Sequence, residues 1–410
     1  MQTALSKTLL QTRTGQEADK ILRNCVHCGF CNATCPTYQL TGDELDGPRG
    51  RIYLIKQVLE GKPPGEATRL HLDRCLTCRA CETTCPSGVD YHRLLDIGRA
   101  LTAQALPRPM SQRLLRFALR TLLTRRFLFT PLLRSGQLLR PLLPAALRAR
   151  LPARQHGTPF QASSPRARTM LLLDGCVQPA LAPQINRAAQ AVLHAVGINL
   201  VTASGAGCCG ALSHHLDAGD EAQAFMRRNI DAWWPHIERG AEAIVITASG
   251  CAPMVKDYGR LLADDPDFAA KAARVSALAR DLSEVVAAAQ PETVLVPAPA
   301  TRIAFHAPCT LQHGQRITGV VERLLGKLGY ILTPVADAHL CCGSAGTYSI
   351  LQGKLAARLR DNKLAALQQG TPETIATANI GCYLHMAGHA GIPVVHWIEL
   401  LSSLLPENNP

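Results

Sequence analysis

Eight of the chain's 16 cysteines fall into two copies of one pattern. Cys25, Cys28, Cys31 and Cys35 precede Pro36, and Cys75, Cys78, Cys81 and Cys85 precede Pro86. Each copy reads C-x2-C-x2-C-x3-C-P, the run that holds [4Fe–4S] clusters. Three cysteines at intervals of three on a coiled loop surround one cluster, while the fourth leaves on a new segment and serves the other cluster. On this spacing Cys25, Cys28, Cys31 and Cys85 hold one cluster, and Cys75, Cys78, Cys81 and Cys35 hold its neighbour. Proline at each exit fixes φ and removes a backbone donor. Structural zinc asks for two separated cysteine pairs and disulfides ask for an oxidising compartment; neither explains two identical four-cysteine runs. The chemistry expected is one-electron transfer, with Gly29 giving backbone N–H groups room to reach sulfur and raise the potential.

A second cysteine set is duplicated over a longer interval. Cys176, Cys208 and Cys209 recur at an offset of 133 as Cys309, Cys341 and Cys342, and Cys251 recurs at an offset of 131 as Cys382. GCCG around the first pair matches CCG at the second, and ITASGC resembles TANIGC. Four thiols per copy suffice for a four-thiolate cluster or a tetrahedral zinc, and free cysteines also serve as small buried apolar residues. The histidines near these positions, His214, His215, His306, His313, His339 and His385, read as hydrogen-bonding scaffold rather than ligands.

These residues need elements to position them. Apolar runs MLLLD, INLVTA and AIVITA alternate with helical stretches, and IAFHA, YILTPV and TIATA repeat the alternation, which predicts α/β units on parallel sheets with the cysteines where strands run into loops. The fold class expected is mixed: a mainly helical, ferredoxin-like two-cluster domain followed by two repeated α/β lobes. The divisions are residues 1–100 for the cluster domain, 101–168 for a basic Arg/Leu-rich segment and linker, 169–290 for the first lobe and 291–410 for the second. Between the cluster loops, RIYLIKQVLE predicts a helix burying Ile52, Ile55 and Leu59, and DELDGPR before it reads as a polar turn, either solvated or docking a partner. Trp233 and Trp234 read as core or lobe-interface residues.

Charge is concentrated in one place. Residues 97–173 contain 14 arginines and no Asp, Glu or Lys, so this segment carries +14 while the chain as a whole carries +12. Two bound clusters would each add about −2. Arg113, Arg116 and Arg120 line one face of a predicted helix, with Leu115, Ala118, Leu119 and Leu122 opposite, and Pro131, Pro141 and Pro144 are expected to chop its continuation into short pieces. Such a helix suits an anionic membrane surface, an acidic partner subunit or its own protein. A phosphate footprint is a further possibility, but aromatic residues are only 4% and are not interleaved with the arginines, so nucleic acid is not expected as a partner. Arginines and prolines break every leucine-rich run, so no membrane-spanning helix is expected. The first twenty residues lack the pattern of a secretory signal.

With both cysteine sets in view, the chain resembles the iron–sulfur subunits of bacterial glycolate oxidase. The stretches that carry the resemblance are NCVHCGFCNATCPTYQLTGDELDGPRGRIYLIKQVLEG, LDRCLTCRACETTCPSGVDYH, RNIDAWWPHIERGAEAI and HLCCGSAGTY. The resemblance implies a glycolate dehydrogenase complex in which flavoprotein subunits carry FAD and oxidise glycolate to glyoxylate. This chain would pass electrons onward to a membrane acceptor of the quinone class, from the cytoplasmic face of the inner membrane. Related subunits of glycerol-3-phosphate and lactate dehydrogenases share the plan, as does heterodisulfide reductase, which would make the chain catalytic. In the last, each cysteine motif closes with C-x-x-C, whereas here Cys251 is followed by Ala252, Pro253 and Met254, and Cys382 by Tyr383, Leu384 and His385. The chain has no GxGxxG after a strand, so the organic half of the reaction is expected in another subunit.

Overall fold

A computed structural model describes residues 1–142, 144, 152–155, 160 and 166–406. The N-terminal part is helical, built on Arg13–Asn24, Pro48–Leu59, Glu66–Asp73 and Tyr91–Ala105. Arg13–Asn24 starts where Thr12 Oγ1 accepts from the Gly15 amide, a Thr N-cap. Its buried residues Gly15, Ala18, Ile21 and Leu22 recur at helical spacing and face Ile52, Ile55, Leu72, Leu94 and Leu95. Each such large side chain contributes about 1.5–3 kcal/mol by leaving water. Close approach is needed at one point: a Cβ on Gly98 would lie 2.5 Å from Ile55 Cγ1, so Tyr91–Ala105 packs against Pro48–Leu59 only with glycine there. Cys25, Cys75 and Cys81 belong to the same core, which clamps the cysteine loops between helices.

Two α/β lobes follow. The first sheet consists of β1 (Arg168–Leu173), β2 (Ile198–Thr202), β3 (Ile244–Ile246) and β4 (Ala279–Asp281), all parallel in the order β2-β1-β3-β4. The second consists of β5 (Arg302–His306), β6 (Ile331–Leu332), β7 (Thr374–Thr377) and β8 (Val394–His396), parallel in the equivalent order β6-β5-β7-β8. The expected mixed architecture and its duplication are therefore observed. β4 and β8 were not anticipated from the sequence.

One apolar core runs across both lobes, joining Leu172, Ile185, Leu193 and Val245 to Val321, Ile375, Trp397 and Leu401. The opposite face of the first sheet has its own core, centred on Ile230, Trp233 and Tyr258. Trp233 is buried as expected, while Trp234 lies at the surface side and donates to Glu238 Oε1 at 2.8 Å. Hydrogen bonds stitch the lobes together near their cysteine loops, from Ser249 N to the Ala378 carbonyl at 3.1 Å and from His396 Nε2 to the Thr247 carbonyl at 3.1 Å.

The basic segment departs from expectation in two ways. Met110–Thr124 forms the predicted helix, but most of its arginines face the protein: Arg108 and Arg116 pair with Asp73 and Asp217, and Arg120 and Arg125 with Glu221, while Arg113 stays exposed. The apolar residues face outward instead. Pro131 does not end its segment either, because helix Arg126–Leu138 continues through it. The proline falls in the second turn, where only the Phe127 carbonyl loses its i+4 donor. In the linker expected at the end of residues 101–168, positions 156–159 and 161–165 lie outside the described residues. No helix among the described residues is long and apolar enough to cross a membrane.

Candidate metal centres

The two N-terminal cysteine loops share one backbone device. In the first, His27 and Gly29 adopt left-handed φ values of 57° and 87°; in the second, Thr77 and Arg79 do so at 56° and 62°. Two left-handed residues within five curl the chain so that the three cysteines turn inward. Three of the four carry side chains, and such strain collects at functional sites at a cost of about 1–3 kcal/mol per residue. The fourth cysteine of each run then leaves the loop. Cys35 lies at the N-cap of Pro36–Thr41, with Pro36 as its first residue. Cys85 caps Ala80–Thr84 and leads into Pro86.

That departure sets the geometry of the site. One cavity is lined by Cys25, Cys28, Cys31 and Cys85, and a second by Cys35, Cys75, Cys78 and Cys81. Each triplet is thus brought to the fourth cysteine of the other run. Cys81 borders both cavities, so they are neighbours. The first opens to solvent at Cys28, beside exposed Val26 and Phe30. The second faces the C-terminal lobe, where Leu76 packs with Cys309, Cys341 and Tyr348.

Burial holds several of these thiols protonated, Cys25 among them. Burial, then the neighbouring Cys25, Cys85 and Cys28, push the Cys31 thiol up to about 11. Burial does the same, more strongly, to Cys78 and Cys81. Eight sulfurs so placed call for cationic iron, which deprotonates the thiol that binds it. Hydrogen-bond donors already point at the sulfurs: Thr77 N to Cys75 Sγ at 3.4 Å, Val89 N to Cys85 Sγ at 3.5 Å and Tyr91 Oη to Cys75 Sγ at 3.7 Å. The donor set fits iron–sulfur clusters.

A buried charge network backs the second cavity, and sequence reasoning missed it. Arg51 is 1% exposed and donates through Nε to the His71 carbonyl at 2.7 Å and through Nη2 to Thr37 Oγ1 at 3.1 Å. Burial opposes its charge, but Cys75, Tyr91, Cys35 and Asp46 outweigh that and raise the guanidinium's pKa. Fully buried Asp46 accepts from Arg74 Nη1 at 2.9 Å and lies 2.8 Å from His71 Nδ1 and 3.7 Å from Arg51 Nη2. The DELDGPR stretch is therefore solvated only in part, with Asp43 exposed and Asp46, Gly47 and Pro48 buried. Its Glu44–Asp46 turn aims Asp46 inward. The available signal was periodicity: Arg51 precedes Ile55 by four residues and so shares its buried face.

In each C-terminal lobe, three strand ends deliver the cysteines. Cys176, the Cys208–Cys209 pair and Cys251 follow β1, β2 and β3, and Cys309, the Cys341–Cys342 pair and Cys382 follow β5, β6 and β7. The cysteines lie side by side in each lobe, Cys176, Cys208, Cys209 and Cys251 in the first and Cys309, Cys341, Cys342 and Cys382 in the second, where Cys309 Sγ donates to Cys341 Sγ at 3.7 Å. The glycine after each pair supplies the backbone approach expected of it: Gly210 N reaches Cys208 Sγ at 3.5 Å, and Gly343 N reaches Cys341 Sγ at 3.4 Å. Asn379 joins the lobes, accepting from Gly250 N at 3.2 Å while its Nδ2 donates to Cys382 Sγ at 3.5 Å. His214 pairs with Asp96 at 3.1 Å, His313 bonds to Thr83 and the His339 carbonyl, and His385 bonds to the Ala356 carbonyl. These three are scaffold, as expected.

Comparison with known proteins agrees with this layout. Residues 21–89 match a 4Fe-4S dicluster domain, and residues 170–256 and 303–387 match a cysteine-rich domain twice. The chain is 53% identical over 405 residues to the glycolate oxidase iron-sulfur subunit of Escherichia coli, covering 99% of both chains. It is 30% identical to a probable glycolate oxidase iron-sulfur subunit of Bacillus subtilis, covering 93% of both. A hypothetical protein from Helicobacter pylori shares the fold at a TM-score of 0.54 and 10% identity, over 97% of this chain and 74% of that one. With cluster domain and duplicated lobes matched along nearly its whole length, the chain belongs to the glycolate oxidase iron–sulfur subunit family.

Proposed function

We propose that this chain is the electron-transfer subunit of a glycolate dehydrogenase complex, taking electrons from FAD-bearing partner subunits that convert glycolate to glyoxylate and passing them to a membrane quinone. Glycolate oxidation releases two electrons and two protons, and [4Fe–4S] clusters carry electrons singly. The observation that carries the reading is the pair of adjoining four-thiol cavities. In it, Cys25, Cys28, Cys31 and Cys85 bind one cluster and Cys75, Cys78, Cys81 and Cys35 the other. Residues 1–100 then form the relay, residues 101–168 the docking segment, and residues 169–290 and 291–410 the two lobes.

The residues around the cavities divide the work. Cys28, with exposed Val26 and Phe30, offers an apolar edge where a flavoprotein partner can bring its cofactor close. Thr77 N–H, Tyr91 Oη–H and the Arg51 guanidinium place positive charge by Cys75 and Cys35. That placement stabilises the reduced state of the inner site.

Contact with the membrane is supported by the inverted basic segment. Arg108, Arg116, Arg120 and Arg125 are spent on Asp73, Asp217 and Glu221, and Phe127, Leu138 and Leu142 stand at 72%, 81% and 82% exposure, with Met110, Leu114 and Phe117 also exposed. An apolar face of this kind sits in the headgroup–acyl boundary. It would hold the protein on the cytoplasmic face of the inner membrane.

Anaerobic reconstitution of the chain should give about eight irons. The complex purified with its flavoproteins should reduce a soluble quinone on addition of glycolate, and Cys28→Ser and Cys78→Ser should each abolish this. A folded, colourless preparation, or glycolate-dependent reduction that survives both substitutions, would reject the reading. Phe127→Asp combined with Leu138→Asp should release the protein from liposomes without loss of iron.

A further inference from the structure

The second lobe differs from the first at a place that the iron–sulfur reading does not use. His306, the last residue of β5, is 2% exposed, and neither ring nitrogen has a hydrogen-bond partner. An unmet polar atom in such a place costs about 1–3 kcal/mol. The ring is not isolated, however: one of its nitrogens, Cys342 Sγ and Cys382 Sγ lie within 4.8 Å of one another, and all three residues are buried. Cys341 is next in the row of sulfurs, in contact with Cys342, and Cys309 Sγ lies 3.7 Å beyond it.

A second buried group answers the same charge. Lys363 is 3% exposed, donates through Nζ to the Asp337 carbonyl at 2.7 Å, and acts electrostatically on Cys341 and Cys342. The first lobe has neither group. At the offset of 133 that relates Cys176 to Cys309, His306 corresponds to Leu173, buried in the apolar core, while Lys363 on helix Gly353–Gln368 takes the place of Asn229 on helix Gly219–Glu238, a buried amide whose Nδ2 donates to the Cys208 carbonyl at 2.8 Å. The cysteine row alone therefore requires no imidazole or ammonium.

We propose that the second lobe binds one zinc-class divalent cation through Cys341, Cys342, Cys382 and His306, with Lys363 balancing the charge. Three thiolates and one neutral imidazole form a closed tetrahedral set for zinc, with Zn–S near about 2.3 Å and Zn–N about 2.0–2.1 Å. The ligand atoms of His306, Cys342 and Cys382, already within 4.8 Å of one another, reach the tetrahedral edge, about 3.8 Å between sulfurs at that bond length, by a small contraction, and Cys341 joins them by turning its thiol from the neighbouring position in the chain. An iron–sulfur cube would spread its thiolates farther apart. Three thiolates on a dication leave one negative charge, opposite in sign to Lys363. Asn379 Nδ2 and Gly343 N supply outer hydrogen bonds to Cys382 and Cys341.

The test is metal content of the full chain, purified anaerobically from cells grown with added zinc. The wild type should carry about one zinc per chain, falling below about one fifth in His306→Leu and in Cys382→Ser. His306→Leu places in the second lobe the residue that the first lobe tolerates, so a folding defect is not expected. Cys251→Ser, in the first lobe, should leave zinc unchanged, and iron should be unchanged in all three. Zinc-edge X-ray absorption should show three sulfurs and one nitrogen. A wild type without zinc, zinc retained by His306→Leu, an all-sulfur shell, or iron lost with Cys382→Ser would each overturn the proposal. None of these outcomes alters the iron bound by the N-terminal loops, so the electron-transfer reading is judged separately.

Discussion

The two C-terminal lobes share strand order, cysteine spacing and a left-handed glycine after each cysteine pair, Gly210 at φ 89° and Gly343 at φ 86°. Their surroundings differ. The first lobe presents Cys176 and Cys208 to an open cavity walled by Arg125, Arg126, Phe127 and Arg228, next to the outward-facing helices. The second presses Cys309 and Cys341 against Leu76 and the Cys78 loop of the relay, and carries buried His306 and Lys363 where the first has Leu173 and Asn229. Duplication thus produced one scaffold, and two or three side chains on one copy, together with its neighbour, set it apart. Cysteine spacing alone does not report which copy has acquired a new role.

The sharpest way to break the contrast is at Cys78, on the seam between relay and second lobe. Cys78→Ser should cost about half the iron, about four atoms per chain, and abolish glycolate-driven quinone reduction. The matching change in the first lobe, Cys176→Ser, should leave iron content intact. Next in size is Arg51→Met, which takes the donor from the buried His71 carbonyl and Thr37 hydroxyl while Arg74 still holds Asp46, and should destabilise the protein by about 1–3 kcal/mol in denaturant unfolding.

Transplanting the second lobe's histidine sharpens the comparison itself. Leu173→His, with neutral Asn229 in place of Lys363 in the first lobe, should destabilise by about 1–3 kcal/mol and confer no additional zinc.

The smallest effect expected is a pH dependence where the relay meets the first lobe. Burial works against the His92 charge, but Asp90 and Glu82 more than offset it and bring the ring to about 9. Asp96 likewise holds the His214 pKa above its ordinary value despite burial. Both raised values stabilise the fold fully below the unfolded value of about 6.5, and the contribution is lost as pH rises through the folded value, about 9 for His92. The unfolding midpoint should therefore fall by about 2–4 °C or less between pH 6.5 and 9, and His92→Gln should flatten the slope.

Most of the scaffold was legible in the residues. Two identical cysteine runs, six apolar stretches and a constant offset located the relay, six of the eight strands and every clustered thiol. The rest depended on tertiary context. β4 and β8 are three residues each, ARD and VVH, too short to show a period. Arg116 and Arg120 face inward and Arg113 outward, and nothing local indicates which arginine of such a face meets water and which meets Asp73, Asp217 or Glu221. Asp46 lay in a stretch polar enough to pass for a loop, because its partners Arg51, His71 and Arg74 are distributed over later segments. His306 looked like scaffold because an imidazole's hydrogen bonds, or lack of them, are not written in the sequence.

Asn379 gives the paired lobes one more property. Its amide is a hinge pin with one end on each lobe, gripping Gly250 through oxygen and Cys382 through nitrogen. If Cys382 shifts when its sulfur changes state, the pull is delivered to the residue beside Cys251 without any wider rearrangement. Asn379→Asp, which swaps the donor for an acceptor, would uncouple the halves while leaving every thiol in place.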